Sequence, residues 1–131
     1  MKRILFVFTL ILLTAGAASA QQKEASIAVV GDATYDFGNI KEADGAVTHI
    51  FKIKNEGEIP LVVTKAVASC GCTTPEWTKE PIAPGKTGEI KVSFDPTGRP
   101  GPIAGKTISV YSNGKAGSFV LTIKGTVIPK G

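Results

Sequence analysis

From Gln22 onward the apolar residues of this chain recur mostly at every second position, and turn residues interrupt them every 8 to 12 positions. A spacing of two puts alternate side chains on one face of an extended backbone, whereas a helix needs a stripe at three and four. The segment Val47-Thr48-His49-Ile50-Phe51-Lys52-Ile53-Lys54 places Val47, Phe51 and Ile53 on one face, and Asn55-Glu56-Gly57 ends it. Leu61 to Ala68 is rich in β-branched residues, and in Glu89 to Phe94 the residues Ile90, Val92 and Phe94 point inward. Thr107 to Tyr111 carries Ile108 and Val110 on one face, and Phe119, Leu121 and Ile123 share a face in the last strand. Between those two, Ser112-Asn113-Gly114-Lys115 is a hairpin signal. Ser26 to Val30 and Thr34 to Phe37 make weaker strands.

Pro81 to Lys86 and Asp95 to Pro102 read as loops, because prolines lack the N–H that a ladder needs and glycines loosen the chain. About seven short strands without a helix cannot bury their apolar faces as one open sheet. Two sheets packed face to face solve that problem, so the expected fold is an all-β, immunoglobulin-like sandwich.

The N-terminus is of another kind. Met1-Lys2-Arg3 precedes an uncharged run from Ile4 to Leu13, and small residues lead to Ala18-Ser19-Ala20 before polar Gln21-Gln22. That run is about half the roughly 20 residues that span a bilayer, and the small triplet suits a signal peptidase. Residues 1–20 are expected to be a cleaved signal peptide and residues 21–131 one exported domain, periplasmic or secreted, with no transmembrane segment after cleavage. Cleavage takes Lys2 and Arg3 from the 15 basic residues and leaves the 11 acidic ones, for a net charge near +2. Lys41, Lys52, Lys65, Lys91 and Lys106 are spaced singly among apolar residues, which is the pattern of solvated strand faces and excludes a nucleic-acid footprint.

Several stretches together resemble a known family: Phe37-Gly38-Asn39-Ile40, Phe51 to Asn55, Leu61 through Ser69-Cys70-Gly71-Cys72-Thr73, Ile82 to Gly85, and Val92 to Asp95. The chain is similar to the bacterial family catalogued as domain of unknown function 1573, exported proteins common in Bacteroidetes. The cysteine motif is the specific part of that likeness. More distantly, the Asn-Glu-Gly turn, the Pro-Gly loop and the Phe-Asp-Pro ending resemble major-sperm-protein and cilium-associated immunoglobulin-like domains. The resemblance implies a binding or scaffolding module and supplies no reaction.

Cys70 and Cys72 are the only cysteines, and export places them where thiols oxidise. Three readings of the pair stand side by side. A disulfide across Gly71 needs a bent backbone, and glycine is expected to provide the freedom for it. Such a small ring offers little loop-closure entropy and would be open to thiol exchange. As thiolates the pair suits cuprous ion, which accepts two sulfur ligands, better than zinc, which wants four. The remaining reading is packing alone, with the sulfurs as small hydrophobes and Ser69, Gly71 and Thr73 as the flank of a turn.

Trp77, in a segment that Pro75 is expected to keep out of a strand interior, is a candidate partner contact or a cover for the end of the core. The single histidine, His49, reads as a strand residue rather than a ligand or base. Glu56, Glu58, Glu76 and Glu80 are dispersed around turns, and no Gly-x-Ser-x-Gly elbow, phosphate loop or His-Glu-x-x-His pair is present. The expected function is therefore that of a non-catalytic exported module without cofactor, binding an envelope or extracellular protein. Its edges and the loops carrying Trp77 and Pro96 to Pro102 are the expected contacts, and thiol exchange or copper binding at Cys70 and Cys72 is the alternative.

Overall fold

The computed structural model describes residues 23–130. The expected signal peptide, residues 1–20, lies outside them. The described chain forms eight strands: β1 Ile27–Val30, β2 Thr34–Lys41, β3 Val47–Asn55, β4 Val63–Ala68, β5 Thr73–Trp77, β6 Thr87–Phe94, β7 Gly101–Ser112 and β8 Ser118–Ile128. The only helical element among them is a 3-10 turn at Glu42–Asp44. Two four-stranded sheets face each other, in the orders β1-β3-β6-β5 and β2-β8-β7-β4. The expected β-sandwich is thus observed.

Its core is the alternation seen in the sequence. Phe51, Ile53, Ile90, Val92 and Phe94 point in from the first sheet and meet Ile40, Ile108, Val110, Leu121, Ile123 and Val127 from the second. Full burial of such a side chain contributes roughly 1.5–3 kcal/mol each. Leu61 and Ile82, also buried, exchange backbone hydrogen bonds in both directions and close one end.

Three expectations need correction, all at positions where a strand lies on an edge. Pro75 does not keep Thr73–Trp77 out of a sheet, because β5 pairs antiparallel with β6 in the register Thr73↔Phe94 to Trp77↔Ile90. The hydrogen bonds from Asp95 N–H to the Cys72 carbonyl and from Thr78 N–H to the Glu89 carbonyl show that even-numbered residues turn their backbone groups toward β6. Pro75, at odd parity, lacks its N–H on the outer side, where no ladder bond is lost. Gly101 and Pro102 likewise open β7 rather than belonging to a loop, in a stretch beyond the reach of β4, where β7 pairs with β8 alone. β2 runs past Phe37 to Lys41, parallel to β8, by absorbing a bulge between Asp36 and Asn39. There Gly38 adopts φ 67° and its N–H is bonded by Asp36 Oδ1 at 2.8 Å.

The hairpin announced by Ser112-Asn113-Gly114-Lys115 joins β7 to β8, but its connection is longer than a two-residue turn. Ser112 N–H donates to the Gly117 carbonyl at 2.9 Å, and Gly117 rather than Gly114 takes the left-handed conformation, φ 75°. Asn113 leaves the turn to hold the neighbouring loop, accepting from Val62 N–H and donating to the Pro60 carbonyl.

Candidate functional site

The motif Ser69-Cys70-Gly71-Cys72-Thr73 sits where the chain crosses between sheets. β4 is an edge of one sheet and β5 an edge of the other, so residues 69–72 run along one side of the sandwich. Ser69 closes β4 onto β7 with two bonds: its N–H donates to the Thr107 carbonyl at 2.8 Å, and its Oγ accepts from Thr107 N–H at 3.1 Å. Thr73 N–H donates to the Cys70 carbonyl at 3.2 Å and so closes the turn.

Within it Cys70 and Cys72 are joined as a disulfide, with Cα atoms 5.3 Å apart. Cys72 is 7% exposed and belongs to the core, whereas Cys70 is half-buried. Cys72 N–H points at Cys70 Sγ, 3.2 Å away, and Thr73 Oγ1 lies 3.6 Å from Cys72 Sγ. Gly71 is exposed, a Cβ on it would meet nothing within 4 Å, and its φ is not left-handed. The turn therefore does not need glycine, contrary to the sequence reading. Gly71→Ala is expected to change stability by no more than about 0.5 kcal/mol, read by urea unfolding.

The bridge closes so small a ring that chain entropy assigns it only about 1.5 kcal/mol. The double variant Cys70→Ser, Cys72→Ser is accordingly expected to stay folded, with a midpoint lowered by about 10 °C or less in a thermal melt followed by circular dichroism.

His49 is not brought to the cysteines. In the first sheet β6 separates β3 from β5, and His49 stands opposite Val92, which stands opposite Pro75. His49 instead stacks on Tyr35, with ring centres 3.6 Å apart and planes 9° from parallel, and meets Phe51 edge-on at 4.6 Å. Tyr35 in turn meets Phe37 edge-on at 4.9 Å. Desolvation in this aromatic stack holds the His49 imidazole below its ordinary pKa. The unfolded chain then binds the proton more readily than the folded one. Stability is complete above the ordinary value of about 6.5 and is lost as the pH falls below it toward the depressed folded value. As His49 is the only histidine, His49→Gln is expected to flatten the thermal midpoint between about pH 7.5 and 5.5, the range in which an imidazole titrates.

Trp77 ends β5 half-buried, packed against the core, with Lys79 Nζ 3.1 Å from its ring centre. This ammonium lies over one face of the ring in a cation–π contact. Glu76 stands in β5 beside Lys91, and Glu89 beside Lys52, so the outer face of the first sheet alternates in charge. Among the described residues no group of three or more His, Cys, Asp and Glu side chains gathers.

A surface that the sequence reading missed lies on the opposite side, where the chain passes from β1 to β2. Val30 is 51%, Ile50 45% and Tyr35 37% exposed, and with Thr34, His49 and Phe51 they line a groove of about 300 Å³. Ile50 carried a signal of this: it sits at the polar parity of β3, between Thr48 and Lys52, where alternation calls for a hydrophilic residue.

The two-sheet sandwich is similar in fold to several solved structures. Domain 7 of human CEP192, an ASH/PapD-like domain, is 9% identical, with TM-score 0.60 over 82% of this chain and 89% of that one. The YadV chaperone is 18% identical, with TM-score 0.51 over 81% of this chain and 53% of that one. A protein of unknown function from Porphyromonas gingivalis W83 is 19% identical, with TM-score 0.68 over 79% of this chain. The present chain spans 47% of that protein, about half its length. Among curated proteins none matches. The chain belongs to the family described as protein of unknown function (DUF1573), whose model matches residues 28–127.

Proposed function

We propose that the protein is an exported, non-catalytic immunoglobulin-like module that binds or scaffolds a partner protein at the cell envelope. The observation that carries this reading is the gathering of Val30, Tyr35 and Ile50 around one groove, three large apolar side chains exposed together at one side of the sandwich. Apolar side chains scattered singly mean nothing, but a cluster rimmed by polar residues is the usual form of a protein-binding surface. The PapD-like fold accords with such a role.

The test is capture of an envelope partner by the immobilised mature protein. Ile50→Asp, a change on the solvent side of β3, is expected to abolish capture, while Cys70→Ser, Cys72→Ser keeps it. The reverse result would move the function to the cysteines.

That second reading, thiol exchange or copper binding, has one observation in its favour: Cys70 is the more exposed sulfur, in a turn at the surface. Intact mass with and without an alkylating reagent, with metal analysis of the same sample, separates it. Two alkylated thiols or a stoichiometric copper in protein from its export compartment would favour it.

A further inference from the structure

β3 is nine residues long, and β1 covers only part of it. On one side β3 pairs with β6 from Val47 to Lys54, but on the other β1 reaches only Asn55 to Lys52, in the register Ile27↔Asn55 to Val30↔Lys52. At Gly31, φ 91°, the chain turns away to join the second sheet as β2. On the β1 side, residues 47–51 are left beside a lane in which no strand pairs with them.

The parity of β3 says which groups face this lane. Glu56 N–H donates to the Ser26 carbonyl on the β1 side, while Asn55 N–H donates to the Lys86 carbonyl on the β6 side. Even-numbered residues therefore direct their N–H and C=O toward β1, and beyond the end of β1 these are Ile50 and Thr48. No backbone bond to either on that side is found among the described residues. Asp32, at the head of the lane, is engaged with its own loop through Thr34 N–H. The inner wall is the Tyr35–His49 stack, and the outer lip is Val30 and Ile50.

We infer that an extended segment of a partner polypeptide adds to the first sheet as a strand beside Thr48 and Ile50, continuing the line that β1 leaves at Gly31. The inference rests on the reading of the protein as a binding module and names the mode of binding. A row of alternating donors and acceptors is matched by another extended backbone, which identifies the occupant as a peptide rather than a small molecule. Its side chains alternate. A residue opposite His49 points inward to the groove and is apolar. A residue opposite Ile50 or Thr48 points outward, and its backbone N–H and C=O are the ones that bond β3.

The probe is an end-blocked hexapeptide of alternating Val and Thr, with valine for the inward positions. Amide hydrogen exchange by NMR reads the result. In the free protein the amides of Thr48 and Ile50 are expected to exchange fast, while those of His49 and Phe51, bonded to β6, are slow. Saturating peptide is expected to slow Thr48 and Ile50 by about tenfold or more. The same peptide N-methylated on its valines acts alike, and the one N-methylated on its threonines does not. Protection of Thr48 and Ile50 before any peptide is added, no slowing at millimolar peptide, or equal behaviour of the two methylated forms overturns the inference.

A photo-cross-linking residue at Ile50 or at Val120, on the outer face of the other sheet, in the full chain in its exporting host then separates strand addition at the lane from binding elsewhere on the module. Adducts at Ile50 support the lane. Adducts only at Val120 overturn the lane and leave the binding module standing, and none at either position overturns both.

Discussion

Asn55→Ala is expected to lower the thermal midpoint by about 20 °C, corresponding to about 4 kcal/mol at 4–8 °C per kcal/mol for a domain of this size. Asn55 is fully buried, and every hydrogen-bonding atom of its side chain is used. Its Oδ1 accepts from Gly57 N–H at 2.9 Å and from Ser26 N–H at 3.3 Å. Its Nδ2 donates to the carbonyls of Ile59 at 2.7 Å and Ile82 at 2.9 Å. One amide thus joins the end of β3, the following turn, the segment entering β1 and the loop before β6. Truncation removes those partners at once, and each stranded group carries its own desolvation cost of about 1–3 kcal/mol. The Ile82 carbonyl is the least affected, because it also accepts from Leu61 N–H. Asn55→Asp keeps the acceptors but sets a carboxylate against two carbonyl oxygens, so it is expected to be no better than alanine. Urea unfolding checks both, and a loss below about 1 kcal/mol in the alanine variant would show that water replaces the amide.

The sequence made the central strands plain and the edges obscure, for one physical reason. A strand buried between neighbours shows its parity in alternating residues, as in Ile90, Val92 and Phe94 of β6, so its register is visible. An edge strand tolerates residues that read as breakers. Pro75 in β5 gives up an N–H that faced outward, and Pro102 opens β7 beyond β4. Asn55 read as punctuation because it stands in a turn signal, and its burial depends on partners as distant as Ile82, which no local pattern reveals. The cysteine motif was legible as chemistry but not as position. Only the fold shows that it bridges two sheet edges and that His49 is two strands from it. The groove was nearly legible, since Ile50 broke the alternation of β3. What made it a groove is the departure of the chain at Gly31, a matter of topology rather than of local sequence.

Gly71 and Gly57 occupy their turns for different physical reasons. Gly71 needs neither unusual φ nor space, whereas Gly57, also without a left-handed φ, needs space absolutely. A Cβ on Gly57 would fall on the Glu24 carbonyl oxygen, the Ser26 nitrogen and Ala25 Cα, all backbone atoms of the segment that leads into β1. That segment cannot yield by a rotamer change. It is held by Glu58 N–H on the Glu24 carbonyl at 2.8 Å, Glu56 N–H on the Ser26 carbonyl at 2.7 Å and Lys115 N–H on the Ala25 carbonyl at 2.9 Å, with Ala25 itself fully buried. Gly57→Ala must therefore push residues 24–26 off the sandwich or unfold it. The expected loss is about 3 kcal/mol or more, a midpoint lower by about 15 °C, against no more than about 0.5 kcal/mol for Gly71→Ala. Hydrogen exchange tells the two routes apart. If the segment peels away, the amides of Ala28 and Val30, which face β3, lose protection while those of β6 to β8 keep theirs, and β3 gains an uncovered edge at Lys52 and Lys54 in addition to Thr48 and Ile50. In that state the Val–Thr peptide should pair along more of β3 and bind more tightly than to the parent protein. If protection falls everywhere together, the turn at Gly57 is a support of the whole sandwich, and β1 cannot be detached from it.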